Sequence, residues 1–436
     1  MTKTGAIILL LLANSLSARS QDTIPIKSED LWPRAEKGNY QLKISEQEYK
    51  SAKGDYHQSN ALFLPNITIS NSAINTTNPL MAFGSKLNQE ILTPADFNPD
   101  LLNNPDQIRN YSTKVEVLQP IINADGILER RAAKIKMQAY SLKSERTKQY
   151  LQFEIQKAYH QLQLVYKVYD VLKVAEISAN NTGKMIQDYF TEGYVQKTDV
   201  LNVEVHIGEL KNQIALAQSN IMNASAYLSF LLGEQPDGKI FLPQEKLDTV
   251  CVSPEVQLKV NESRADIKGM QLSADAYNKM YQSKKLNFLP RLNAFGTYEI
   301  YDDQIFGTNA EGYLIGVQLS WNIFDGYKSI GKLEKAKAEY THSSFDLEQY
   351  KSQSKMELGI ANRKAIDNYN TVINKRDGFL QSKEAYRIRS DRFAQGLEKT
   401  NDLLQSETQS SMKELEYYQA IYEYNVSKLN LDYLSK

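Results

Sequence analysis

The sequence predicts a mainly helical protein with a short β section, built as two tandem repeats of helix, strand, strand and long helical hairpin. Three observations carry this. The first is a duplication. Residues 189–204 and 392–407 share Phe190/Phe393, Gly193/Gly396, Asp199/Asp402, Leu201/Leu404 and Glu204/Glu407 at one fixed offset. A repeat of this kind implies two copies of a large structural unit, and it argues against a single catalytic pocket. The second is apolar spacing. Leu151, Ile155, Ala158, Leu162, Val165, Tyr169 and Leu172 recur four and three apart, as do Val203, Ile207, Leu210, Ile214, Ala217, Ile221, Ala224, Leu228 and Leu231. That is a coiled-coil seam, narrower than the stripe of a globular helix. The third is a set of short alternating segments, of which Tyr313–Trp321 is the clearest.

The elements follow in order. Met1–Gln21 has a basic start, a short apolar run (Ala6–Ala13) and small residues, the pattern of a secretory signal over 1–20. A polar tail runs to about Lys27, and Leu31 to about Leu62 reads as a first helix. Leu64-Pro65 stops it, because proline cannot continue a helix. Ile67 and Ile69 then alternate with polar residues, giving a strand near 64–74. A polar loop spans Asn75–Asn110, and a second strand covers 110–120, with Val115 and Val117 on one face and Lys114 and Glu116 on the other. From Asp125-Gly126 a proline-free stretch reaches Gly193. At 1.5 Å per residue it would extend about 100 Å if helical throughout.

Gly193 and Gly396 suit the left-handed residue that ends a helix, and Thr198 and Thr400 suit the caps of the return helices. Gly233–Gly238 closes the first repeat, assigned to 21–240, and 241–253 forms an inter-repeat segment. The second repeat, 254–436, begins with a helix from about Pro254 to Phe288. Leu289-Pro290 then answers Leu64-Pro65, strands follow near 290–302 and 312–323, and Asp325-Gly326 answers Asp125-Gly126. The last helix carries an apolar stripe of Met412, Leu415, Tyr418, Tyr422, Val426, Leu429 and Tyr433.

Composition narrows the function classes. Charges nearly balance, with 51 Lys and Arg against 52 Asp and Glu, so nothing in the chain forms a basic surface for nucleic acid. The 27 tyrosines suit interfaces and membrane boundaries, where one end of the side chain is apolar and the other wet. After the signal no apolar run is long enough for a membrane helix, so membrane entry would be as a β-barrel. Cys251 is the single cysteine, which excludes an intrachain disulfide and a cysteine zinc site. The four histidines are scattered, no metal or other cofactor is called for, and no P-loop, nucleophile elbow or Rossmann fingerprint is present. The chain reads as no enzyme. Glu204 and Glu407 recur symmetrically, which suits a shared helix surface better than an acid–base pair.

The duplicated Gly-to-Asp-Leu tip, the two Leu-Pro junctions and the two Asp-Gly junctions together resemble the TolC-like outer-membrane efflux channels, the outer membrane factors, over the whole chain after the signal. The resemblance implies a homotrimer with a twelve-stranded outer-membrane β-barrel joined to a long periplasmic α-helical barrel, in a Gram-negative bacterium. It implies a passive exit duct for efflux or type I secretion, coupled through a periplasmic membrane-fusion adaptor to an inner-membrane transporter. Four strands cannot close a barrel alone, which agrees with assembly.

On this resemblance Val115, Val117, Ile315, Val317 and Leu319 meet outer-membrane lipid, while Lys114, Glu116 and Gln318 face water. Tyr111, Tyr298, Tyr301, Tyr313 and Trp321 form an aromatic girdle. Asp402 matches an acidic ring at the periplasmic constriction. The family's next carboxylate falls at Gln405, a departure that leaves a single ring, and Asp199 is the first-repeat counterpart. Gly193, Tyr194, Val195, Gly396, Leu397 and Glu398 would meet an adaptor hairpin. Tyr159, Tyr166 and Tyr386 would serve contacts between neighbouring helices. The residues alone also admit a periplasmic coiled-coil adaptor or a structural protein without a membrane barrel, its sheet packed against helices.

Overall fold

Each repeat runs helix, strand, strand and two long helices, and the first adds further short strands and helices. The computed structural model describes residues 23–247, 252–256 and 259–436, so the expected signal and Cys251 lie outside the described residues. The first repeat holds β1 (Thr23–Ile26), α1 (Ser28–Gly38), α2 (Tyr40–Gln58), β2 (Asn66–Thr76), α3 (Pro79–Asn88), α4 (Pro99–Asn103), β3 (Ile108–Ile122), α5 (Ala124–Thr191), α6 (Lys197–Leu232) and β4 (Ile240–Pro243). The second holds α7 (Ala265–Leu286), β5 (Arg291–Asp302), β6 (Ala310–Ser320), α8 (Lys328–Ala394) and α9 (Thr400–Ser435). Among the described residues no helix is long and apolar enough to cross a membrane.

The chain divides into two compact units, one of residues up to 46 with 144–265 and 350–436, the other of 47–143 with 266–349. The first unit is helical. Its seam in α5 and α6 is the one the spacing predicts: Leu151, Ile155, Ala158, Leu162 and Val165 pack with Ile221, Leu228 and Leu231. Further along, Leu172, Ala175 and Ala179 pack with Leu210, Ile214 and Ala217. In α9 the stripe differs from expectation. The buried line runs through Leu403, Glu407, Ser410, Tyr417, Ile421, Tyr424 and Leu431, and Met412 is exposed. Two polar residues in the seam disguise its period.

Three further differences concern the helical unit. The tail before Lys27 contains β1, which pairs in parallel with β4, and Ile26 and Phe241 are buried in the main core. The single helix expected over 31–62 breaks at Asn39. Asn39 Oδ1 accepts from Gln41 N and Leu42 N at 2.8 and 3.2 Å, and its Nδ2 donates to Leu231 O at 2.7 Å. The break lets Gly38 approach the end of α6 so closely that a Cβ on Gly38 would overlap Leu232 O. The helix expected from Pro254 starts instead at Ala265. Asn261 Oδ1 accepts from Ser263 N at 2.9 Å, a side-chain turn that competes with helix. Arg264, fully buried, then donates to Leu434 O at 2.8 Å, at the last turn of α9.

The second unit carries the antiparallel sheet in the order β2-β3-β5-β6. The segment expected as a loop over 75–110 contains α3 and α4. Asn78 caps α3, accepting from Met81 N at 3.2 Å with Pro79 at the first helical position, and Thr93 N donates to Asp96 at 2.7 Å to start the next turn.

Candidate functional site

Two regions of the chain carry the residues the sequence marks, the sheet in one unit and the hairpin tips in the other. In the sheet, register decides which side chains share a face. Ile69, Val115, Tyr298 and Tyr313 lie in one cross-strand row, and Ile67, Val117, Gly296 and Ile315 in the next. Val317 and Leu319 continue this face, opposite Ala294 and Leu292. Ile315, Val317 and Leu319 are all exposed in the single chain. The other face carries Lys114, Glu116, Glu299 and Gln318. Lys114 lies 3.3 Å from Glu116 and 3.7 Å from Glu299. The sheet is apolar on one side and charged on the other.

The aromatic residues divide differently from expectation. Tyr111, Tyr298 and Tyr313 lie on the apolar face, with Tyr111 towards the α3 end and the other two facing each other further in. Tyr301 lies on the charged face, opposite Ser112, and its hydroxyl donates to Glu299. Tyr298 and Tyr301 are three residues apart on one strand, and alternation sends them to opposite sides. Trp321 lies just past β6, at the other end of the sheet from the β5–β6 turn, its Nε1 donating to Phe288 O at 3.0 Å.

At the tips, both turns are built alike. Gly193 and Gly396 have φ of +82° and +72°. Tyr194 N donates to Tyr189 O at 2.8 Å and Leu397 N to Arg392 O at 2.9 Å, closing the same glycine-terminated motif in each. The caps of the return helices are Gln196 and Lys399 rather than Thr198 and Thr400. Asp199 is therefore the third helical residue, and it accepts from Gln196 N at 2.9 Å. Asp402 holds the same position in α9 but has no hydrogen-bond or ion-pair partner among the described residues. Gln405 is exposed one turn on.

The tips of the two hairpins share one apolar cluster. Ile186, Val200 and Val203 of the first pack with Phe393, Leu403 and Leu404 of the second. Of the residues expected at the adaptor contact, Tyr194 and Leu397 are exposed, whereas Val195 packs partly against this cluster. Glu398 is drawn inward. Arg389 and Arg392 hold its carboxylate at 3.2 and 3.1 Å, leaving the side chain 15% exposed. Beside them Arg387 bonds Glu384 at 2.7 Å and holds its carboxyl below the ordinary range.

A polar link sits above this cluster, and the sequence gives only partial warning of it. Ser178 of α5 and Tyr386 of α8 share a hydrogen bond of 2.7 Å. The Tyr386 hydroxyl also donates to Glu407 Oε1 at 3.4 Å. Burial raises the Tyr386 phenol above its usual value, so it stays protonated. Glu407 is 3% exposed, and its other oxygen lies 3.5 Å from His206 Nε2 with neither atom hydrogen-bonded. Glu204, its counterpart, is exposed. The two counterparts therefore differ in environment, Glu407 buried and Glu204 exposed. Tyr159 likewise serves a local purpose, donating to Ile26 O at 3.2 Å and to Glu245, so it anchors the β1–β4 pair. Among the described residues no cluster of His, Cys, Asp and Glu could hold a metal ion.

Comparison with known proteins agrees with this geometry. The profile of the outer membrane efflux protein family matches residues 31–234. No protein of curated function matches the chain in sequence. Among solved structures, CusC superposes with a TM-score of 0.80 at 14% identity, covering 94% of this chain and 92% of that one. The Campylobacter jejuni CmeC outer membrane channel gives 0.75 at 16% identity, over 93% of this chain and 85% of that one. VceC of Vibrio cholerae gives 0.76 at 16% identity, over 94% and 96%. The structural likeness carries the fold of both repeats and the family profile matches the first repeat; in both respects the chain resembles the outer membrane efflux proteins.

Proposed function

We propose that three copies of this chain form the passive exit duct of a tripartite efflux or type I secretion system. In this reading a secretory signal over 1–20 is removed, and 21–240 and 254–436 act as the two repeats of each protomer, joined through 241–253. The observation that carries the proposal is the sheet. It has four strands, an apolar face and two open edges, β2 and β6, each of 11 residues. Open edges in lipid leave backbone groups unsatisfied. Three copies joined edge to edge give twelve strands and no edge.

The apolar face with Val115, Val117, Ile315, Val317 and Leu319 then meets lipid. Tyr313 in β6 and Trp321 just past its end, eight residues apart, bound it. At about 3.4 Å per residue that is about 27 Å of strand, or about 20 Å across a membrane at a tilt of about 40°, near the height of a barrel's apolar band. Tyr111, Tyr298 and Tyr313 serve the girdle at the outer side and Trp321 at the inner side. Tyr301 faces the lumen.

The tips serve as the periplasmic gate. Asp402, free of local partners, forms the acidic ring. Asp199 is committed to its own cap, and Gln405 leaves the ring single. Tyr194 and Leu397, beside Gly193 and Gly396, offer the exposed surface to a periplasmic adaptor, which in turn couples the duct to an inner-membrane transporter. No chemistry is required of the chain.

Single-channel conductance of the purified protein in planar bilayers tests this. Small conductance steps that respond to added divalent cations in the parent, but not in Asp402→Ala, support a duct closed at that ring. Equal responses in both remove Asp402 from the gate. Protein that stays soluble without detergent and never inserts overturns the barrel.

A further inference from the structure

Resting on the trimeric reading above, we infer that the outer mouth of the duct is locked between protomers by an apolar clasp. Leu80 and Met81 of one copy seat against Ile305 and Phe306 of a second copy of this chain, across the β2–β6 seam.

The two halves of the clasp are built features at the same end of the sheet. The first is the start of α3. Ala82, Ser85 and Gln89 make its buried face. Gln89 Nε2 fixes it by donating to Asn110 Oδ1 and to Arg109 O, both at 2.8 Å. On the opposite side Leu80 and Leu87 are exposed, with Leu80 at 81%. An apolar stripe left exposed opposite the buried face is a second surface to cover.

The second half is the turn after β5. Asp302 organises it, accepting from Gln304 N at 2.9 Å and from Asn309 N at 3.1 Å. Gly307 leaves no space for a Cβ beside that carboxylate. The turn presents Ile305 and Phe306 to solvent, and Phe306, 73% exposed, has a φ of +60°. A bulky residue in the left-handed region is costly and persists where its surroundings impose it. An aromatic ring held outward at that cost indicates something for it to meet.

Strand direction names the partner. Three successive antiparallel pairings make β6 run opposite to β2. The edges have equal length. A second copy's β6 laid antiparallel on β2 with the strand ends aligned puts its Ala310 beside Thr76. Its turn at 303–309 then lies beside residues 77–81, where Leu80 and Met81 stand. Within one chain Leu80 and Phe306 are both exposed, so neither covers the other. Lipid is a poor occupant, because polar rows on the same face, Asn71 with Thr113 and Asn75 with Arg109, separate the patches from the apolar band.

The test is crosslinking in outer-membrane preparations of the full chain. Cys251→Ser removes the native thiol, and Leu80→Cys with Phe306→Cys is then treated with a short bismaleimide. The expected result is a ladder ending at a covalent trimer, absent from either single-cysteine parent. A charge pair provides a second readout. Leu80→Lys alone should lower the temperature at which trimers dissociate in detergent, and adding Phe306→Asp should restore it. An amine crosslinker applied in parallel reports the trimer itself. Trimers by that reagent without thiol coupling, or coupling only within one chain, overturn the clasp and leave the duct standing. Monomers by that reagent overturn both.

Discussion

Replacing Tyr386 by Phe removes one oxygen atom and, with it, the polar link between the two hairpins of each chain. The Tyr386 hydroxyl joins Ser178 of the first hairpin at 2.7 Å and reaches Glu407 of α9 at 3.4 Å. One buried hydrogen bond contributes about 0.5–1.5 kcal/mol net, and stranding a buried polar group costs about 1–3 kcal/mol. Glu407 already has one oxygen without a hydrogen bond, and the substitution leaves it with none on either. The arrangement in which the two hairpins are joined should therefore lose about 2 kcal/mol. If opening separates the hairpins, that shifts the closed-to-open ratio about 30-fold per protomer, at 1.36 kcal/mol per tenfold. Planar-bilayer recordings should show longer and larger openings for Tyr386→Phe than for the parent. Ser178→Ala should reproduce part of the effect, and combining the two should add less than their sum, because they break one shared bond. Parental dwell times in Tyr386→Phe would refute the assignment of this link to the gate. Parental dwell times with a lowered melting temperature would show that the hairpins stay together when the channel opens.

Three further outcomes are expected. Gly233 has φ of +71° and no room for a Cβ against Gly38 and Asn39, whereas Gly193, at +82°, stands in open space. Gly193→Ala should cost about 1–2 kcal/mol for handedness alone. Gly233→Ala should cost more, read as a larger fall in thermal midpoint. Val317→Lys on the apolar face should destabilise the inserted barrel by about 2–4 kcal/mol, while Gln318→Lys on the other face should be tolerated; urea titration in lipid vesicles distinguishes them. Asp96 is held at a pKa of about 2 by Lys86 first and by Thr93 after it. Because the folded value lies below the ordinary 3.8, its contribution is complete above that pH and is lost as pH falls towards 2. Protection of residues 79–103 from amide exchange should decline over that window, and Lys86→Met should raise its midpoint.

Much of the architecture was legible because it rests on periodicity. The seam of α5 and α6, the glycine turns and the alternating strands each depend on local spacing. The break at Asn39 was hidden because its cause is the end of α6, nearly 200 residues away in sequence. The α9 seam was misread because Glu407 and Ser410 occupy it, and only the neighbouring hairpin explains a carboxylate there. Other differences were readable. Asn78-Pro79 and Asn98-Pro99 are helix starts, and Thr93 with Asp96 is a capping pair, so helices inside the first loop had local signals. Glu398 was a different case, since the arginines that draw it inward come from the preceding helix across the turn.

The pairing of β1 with β4 constrains the order in which the chain can mature. Ser28 N reaches the Glu245 carboxylate across 217 residues of sequence, and Thr23 faces Ile240. Closing so wide a loop carries an entropic cost that local contacts do not share. The first described strand is thus among the last elements of the first repeat that can lock, since its partner follows both arms of the first hairpin in sequence. Until then Ile26 lacks its neighbour Phe241, and one end of the helical core stays open to solvent. Burial of Ile26 against Phe241 therefore requires that the whole first repeat be present.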